Sequence, residues 1–309
     1  MAHGHAGHAH AHVRQAGERR LALALGLILA LLCAEVAVGV IARSLALLSD
    51  AGHMLTDAAA LALSLLALRL ARRPARGALT FGLRRVEVIS AQANGVTLLV
   101  LAAFVVYEAI ARLANPPHVE AWAVLAVALA GAAVNVLAVS VVSGADRSNL
   151  GVEGSFQHLL TDLYGFLGTA IAAVVILATG FARADAIVSL LIATLMARSG
   201  LGLVMASGRI FLEAAPEGLD PDEIGSALAA QRGVVEVHDL HVWEVTPALA
   251  ALSAHVLVRA DCDCHLARRA MEQLLRERFG LHHTTLQVDH DAGGELLEIQ
   301  PRAESPAQS

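Results

Sequence analysis

Apolar residues fill most of this chain in runs of about twenty, the length at which a helix crosses the ~30 Å hydrocarbon core of a bilayer. Six such runs are read at Leu21–Ala42, Leu45–Leu70, Val86–Leu113, Ala121–Ser143, Phe156–Thr179 and Ala184–Ala206. After about Ser207 the pattern becomes that of a soluble domain. Asp220–Gln231 predicts a helix with proline at its start, and His265–Phe279 predicts an amphipathic one. Val234–Val245, Ala250–Arg259 and Thr284–Asp289 predict strands. The order αββαβ suits a small α+β sandwich of the ferredoxin-like kind. Residues 1–17 are mostly His, Ala and Gly, and 293–309 are polar, so neither end is expected to build a core. The expected organisation is a His-rich disordered tail over 1–17, a six-helix transmembrane domain over 18–208, a cytoplasmic ferredoxin-like domain over 209–292 and a disordered tail over 293–309.

Polar residues inside the spans are few, which makes each informative. Span one holds Glu35, span two Asp50, His53 and Asp57, span three Gln92 and Asn94, span four Asn135, and span five His158 and Asp162. His53 and Asp57 stand four apart, as do His158 and Asp162, so on a helix each pair shares a face. In a soluble Ala-rich helix such a pair is usually solvated. Within a bilayer, ionisable groups cost several kcal/mol and mark binding sites or proton relays. Two facing pairs would offer two imidazole nitrogens and two carboxylate oxygens, a donor set that suits tetrahedral zinc or a similar divalent ion. Glu35 and Asp50 are candidates to orient a ligating histidine or to carry protons. Asn94 and Asn135 are read as interhelical hydrogen-bonders, and Gly52, Gly95, Gly131 and Gly168 as points of close helix approach.

Composition supports the membrane reading. The chain is 56% hydrophobic and only 16% charged, against a globular average of about 25% charged. A net charge of -6 argues against a nucleic-acid partner. The basic residues other than histidine are all arginine, and their distribution sets the topology. Arg14, Arg19 and Arg20 precede span one, and Arg69, Arg72, Arg73, Arg76, Arg84 and Arg85 crowd the link after span two. Arg147 and Arg209 lie on the same side, against Arg43, Arg112 and Arg183 on the other. Both termini are therefore expected in the cytoplasm, with the protein in the cell's inner membrane. The His-rich start is not that of a cleavable signal peptide, and three cysteines make no disulfide framework.

The stretches Ser44–Asp57, Phe81–Glu87, Gly154–Asp162 and His238–Trp243 resemble recurring segments of the cation diffusion facilitator transporters, specifically the zinc-efflux branch. The resemblance runs from about residue 18 to 290. It implies a homodimeric metal-ion/proton antiporter with a six-helix membrane domain and a cytoplasmic metallochaperone-like domain. His53, Asp57, His158 and Asp162 match the family's transport site, and histidine at the first position is associated there with a narrower preference for zinc. Arg85 and Glu213 match a charge interlock near the dimer contact. His238, His255, His265 and Asp289 fall near positions that bind zinc in the soluble domain of some relatives, and His241, Cys262, Cys264, His282 and His283 are added candidates. Gln287 stands where those relatives carry a histidine. The Arg-rich link between Leu70 and Arg85 lacks the acidic and histidine residues of an auxiliary site, so no metal is expected there.

The function expected is a secondary transporter and not an enzyme: export of Zn2+ against protons by rocking of spans one, two, four and five. Zn2+ is its substrate, and a structural zinc in the soluble domain a further expectation. Alternatives are broader zinc, cadmium, cobalt and nickel efflux, or a membrane metal sensor that does not conduct. A membrane metalloprotease would want His-Glu-x-x-His, which is missing from the chain.

Overall fold

The computed structural model describes residues 5–41, 45–115, 120–145, 147, 149–247 and 249–291, with the side chains of 5–16, 35, 38–39 and 45–53 outside that description. The chain divides into two compact units that part after Glu213.

The first unit is helical: α1 (His5–Ile41), α2 (Leu45–Ala71), α3 (Val86–Ala114), α4 (Ala121–Ser143), α5 (Leu150–Thr179) and α6 (Ala184–Phe211). Among the described residues five helical stretches are long and apolar enough to cross a membrane, Met54–Ala71 of α2 and the whole of α3 to α6. With α1, whose apolar run begins at Leu21, they form a six-helix membrane domain. The helix α1 starts at His5, inside the stretch the sequence expects to be disordered. The physical reason lies in propagation. Once the apolar run has nucleated a helix, each alanine added at its N-terminal end costs little.

Two cores organise the six helices. Leu21, Ala24 and Ile28 of α1, Met54, Ala58, Leu61, Leu65 and Leu68 of α2, Ala138 and Val142 of α4, and Val152, Phe156 and Leu159 of α5 form one buried cluster. The α2 residues recur at alternating steps of four and three, the stripe that keeps one helical face inward. Leu98 and Ala102 of α3 pack with Met196 and Leu203 of α6 in a separate cluster. By their apolar cores the six helices of this unit fall into a four-helix group, α1, α2, α4 and α5, and an α3–α6 pair.

That pair touches through glycine. A methyl group on Gly95 would meet the Gly200 carbonyl oxygen at 3.0 Å, and one on Gly200 would meet the Gly95 carbonyl oxygen at 2.9 Å. Backbones this close are how small residues hold membrane helices together, where no hydrophobic effect separates helix from lipid. Gly131 lies under the Phe166 ring and Gly168 under Val188 and Ile192. At one end of the bundle, Glu18 receives Arg69 and Arg72 at 2.8 and 2.7 Å, tying α1 to α2.

The second unit holds α7 (Pro221–Ala229), β1 (Val234–Thr246), β2 (Leu249–Val258), α8 (Cys264–Phe279) and β3 (His283–His290). The sheet order is β1-β2-β3. The link from Thr246 to Leu249 is short enough only for a hairpin, whereas β2 and β3 run parallel through the α8 crossover, pairing His255 with Gln287 and Val258 with His290. This is the α+β ferredoxin-like arrangement the sequence predicts. Leu252, Ala254, Val256 and Val258 alternate onto one face and pack with Ile224, Leu228, Met271, Leu275 and Leu286. Both helices begin on a capping aspartate. Asp220 accepts the Asp222 amide at 2.9 Å, and Asp263 accepts those of His265 and Leu266 at 2.8 and 3.1 Å.

Two outcomes follow. Gly200→Val should force α3 and α6 apart and cost about 1–3 kcal/mol, the usual toll of overpacking. Thermal unfolding in detergent checks it, with Gly26→Ala, which would meet no neighbour within 4 Å, as the neutral control. The Leu266 and His265 amides hold the Asp263 carboxyl below its ordinary value. Its contribution is therefore present above the unfolded carboxylate pKa and is lost as pH falls through the lower folded one. Asp263→Ala should accelerate hydrogen exchange at the first turn of α8 near neutrality, by a margin that closes in acid.

Candidate metal site

Helices α2 and α5 lie against each other in the four-helix core. At their contact the Asp57 Oδ1 oxygen stands 2.9 Å from His158 Nε2. One turn along α5, Asp162 Oδ2 lies 3.7 Å from the same nitrogen. Oxygen, nitrogen and oxygen all fall within 4.8 Å of one another. The imidazole is 1% exposed, and the two carboxylates 16% and 17%. His158 Nδ1 and Asp162 Oδ2 are buried without a hydrogen-bond partner. His158 Nε2 and the two carboxylate oxygens converge closely enough to serve one cation, whereas Nδ1, on the far edge of the same ring, is not part of that set.

The geometry has a local origin. Asn149 sets the start of α5, its side-chain oxygen accepting the Gly151 and Val152 amides at 2.9 and 3.2 Å. Val152, Phe156 and Leu159 then anchor one face of α5 in the core, which leaves His158 and Asp162, four residues apart, directed at α2. Of the four residues expected in the membrane, the structure brings Asp57, His158 and Asp162 together. His53 precedes Asp57 by one turn of α2, but its side chain lies outside the described residues, as do those of Glu35 and Asp50.

The asparagines differ from one another. Asn94 Nδ2 donates to Ser64 Oγ at 3.0 Å, joining α3 to α2 as expected. Asn135 Nδ2 instead donates to the Gly131 carbonyl of its own helix at 3.2 Å. The expectation of an interhelical bond there is corrected, because the i−4 carbonyl is the nearest acceptor in a long apolar helix. Arg85 Nη2 and Glu213 Oε1 approach to 3.5 Å, both well exposed, and such a pair is worth about 0–1 kcal/mol.

A second cluster sits on the sheet of the soluble domain. His238 of β1, Asp239 beside it and His255 of β2 bring three ligand atoms within 4.8 Å. The two rings meet edge to face at 5.4 Å, and His255 Nδ1 lies 3.9 Å from Asp239 Oδ2. His265, at the start of α8, and Asp289, on β3, fall outside this group. Asp289 instead accepts the Gln287 side-chain amide at 2.9 Å. Among the added candidates, His241, His282 and His283 also lie outside it. Cys262 and Cys264 are partly buried against the hydrophobic core, and the Cys262 carbonyl accepts His290 Nε2 at 2.9 Å.

Sequence reasoning missed Asp239. Its φ of 49° is left-handed, a conformation aspartate tolerates better than most residues. It breaks the alternation of β1: Val237 before it and Leu240 and Val242 after it all pack on the core. A period of two cannot predict that slip. The signal available was an aspartate between His238 and Leu240, inside a run otherwise reading as strand.

Comparison with known proteins places these features among relatives. Residues 21–212 match the model of the cation efflux transmembrane domain, and residues 216–291 that of the cation efflux protein cytoplasmic domain. The cadmium, cobalt and zinc/H(+)-K(+) antiporter of Bacillus subtilis is 35% identical over 305 residues, 96% of this chain and 97% of its own. The metal cation efflux system protein CzcD of Cupriavidus metallidurans is 36% identical over 92% of this chain and 90% of its own. The zinc transporter ZitB of Escherichia coli is 36% identical over 94% and 93%.

Proposed function

Since the chain belongs to the cation efflux family, a family of multi-pass membrane cation transporters, we propose that it exports zinc from the cytoplasm in exchange for protons. The observation that carries the proposal is the buried meeting of Asp57, His158 and Asp162 between two apolar helices. His53, one turn before Asp57, is the fourth ligand in this reading. Two imidazoles and two carboxylates balance a divalent cation to a charge near zero, so the ion crosses the low-dielectric region without a bare charge.

Proton coupling follows from the same donors. A neutral imidazole binds zinc and an imidazolium does not, so protons and metal compete for one set of atoms. On the acidic outer face protons displace the ion and neutralise the carboxylates, and the emptied carrier resets. On the cytoplasmic face proton loss restores the ligands. The four-helix group α1, α2, α4 and α5 rocks against the α3–α6 pair to expose the site alternately. The division follows the apolar clusters, one shared by α1, α2, α4 and α5 and another by α3 and α6.

Arginine placement supports cytoplasmic termini and an inner-membrane location: Arg72, Arg73, Arg76 and Arg84 lie exposed on the α2–α3 link. The active unit is a homodimer, with Arg85 and Glu213 near its contact. His238, Asp239 and His255 have the donor chemistry to hold a structural zinc in the soluble domain, linking strands β1 and β2. The Bacillus subtilis relative is named for cadmium and cobalt as well as zinc, which favours a substrate range wider than zinc. The hydrogen-bond partners that orient the ligating side chains decide that range.

In proteoliposomes, His158→Ala and Asp162→Ala should each lower zinc flux and the accompanying proton movement at least tenfold, the scale on which metal sites fail when a ligand or its support is lost. Undiminished flux in either variant removes the assignment. Equilibrium dialysis of purified protein checks the soluble-domain site. His238→Ala with His255→Ala should bind fewer zinc ions per chain and leave Asp162-dependent flux in place.

A further inference from the structure

Helix α3 carries none of the ligands, yet it bears an inward polar stripe in a membrane-spanning element. Glu87, Ser90 and Asn94 are 4%, 1% and 2% exposed and follow one another at steps of three and four, so they lie along one face. Every member of the stripe has a partner on a helix that carries ligands. Ser90 Oγ meets Ser64 Oγ of α2 at 3.3 Å, and Asn94 Nδ2 donates to that same Ser64 oxygen at 3.0 Å. Ser64 follows Asp57 by seven residues on α2, two turns along the same face.

At the other end of the stripe Glu87 Oε2 accepts a hydrogen bond from Asn149 Nδ2. Asn149 is the residue whose Oδ1 caps α5. One amide group therefore does two jobs, starting α5 with its oxygen and binding α3 with its nitrogen. His158 follows Asn149 by nine residues on the same rigid helix, so any axial or angular change at Asn149 is passed to the imidazole. The α3 stripe is itself held to α6 by the Gly95–Gly200 contact and by a hydrogen bond from Ser207 to Gln92.

We propose that Glu87, through Asn149, is a positioning residue that sets α5 against the fixed α3–α6 pair and thereby sets the spacing of Asp57, His158 and Asp162. The inference rests on the transport-site reading above. It makes metal preference depend on a hydrogen bond remote from the ion. Loosening the tie widens the ligand set, which penalises zinc more than the larger cadmium ion.

The test exploits the polarity of the amide. Asn149→Asp keeps the capping oxygen but puts a carboxylate where Nδ2 donated, facing Glu87. Glu87→Gln alone can still accept from Asn149 through its own carbonyl oxygen. Together, Asn149→Asp and Glu87→Gln restore the bond with donor and acceptor exchanged. In proteoliposomes at a pH where both carboxylates are ionised, Asn149→Asp should raise KM for zinc about tenfold, as losses of supporting partners do at metal sites, and raise that for cadmium less. Glu87→Gln and the double variant should return to within about twofold of the parent in both. A double variant no better than Asn149→Asp, or a change confined to folded yield and maximal rate, would overturn the proposal. Asp162→Ala in the same series separates the two readings. If it carries zinc at the parent rate the transport site is misassigned, whereas an inactive Asp162→Ala beside an unrescued double variant sinks only the positioning role.

Discussion

Two carboxylates and an imidazole buried at one point between apolar helices are the constraint on which the rest of this molecule turns. Removing such groups from water costs several kcal/mol apiece after relaxation, and their mutual contacts repay it only when charge and hydrogen bonding are both satisfied. Here His158 Nε2 approaches carboxylate oxygens from α2 and from its own helix, while His158 Nδ1 and Asp162 Oδ2 remain without partners. In the proposed exchanger a divalent cation would bind Nε2 and the two carboxylate oxygens together, and protons would compete for the same atoms.

Such a site makes demands on the helices that carry it. In the proposed exchanger the three side chains must hold their spacing and yet change their access. The packing meets the first demand with short polar links, Asn94 and Ser90 to Ser64 on one side and Glu87 to Asn149 on the other. The apolar clusters are distinct, one within α1, α2, α4 and α5 and one between α3 and α6, the division along which the proposed rocking would run. Between the groups run both the polar links and an apolar contact, Gly168 of α5 against Val188 and Ile192 of α6.

Much of this was readable from residue order, and the exceptions have identifiable causes. The apolar runs announced the membrane helices because lipid demands about twenty of them in a row. The αββαβ order emerged from a change of period. The start of α5 was read late, at Phe156 instead of Leu150, because the polar first turn hides the capping role of Asn149. Asn135 looked like a bridge between helices and bonds within its own. In the soluble domain, His238 and His255 meet, whereas His265 and Asp289 do not join them; Asp239 does. That substitution follows from one left-handed residue, and left-handed backbone leaves no periodic trace.

Linear order alone was enough to specify the number and type of elements, because hydrophobic periodicity is a local property that water and lipid read segment by segment. It was also enough to pair His158 with Asp162, since helical geometry relates residues four apart without reference to anything else. Bringing Asp57 to His158 across 101 positions required the packing of α2 on α5. Contacts between distant segments depend on which faces interlock and at what depth. Those are set by side-chain volumes on several helices together, and they exist only once the helices have met.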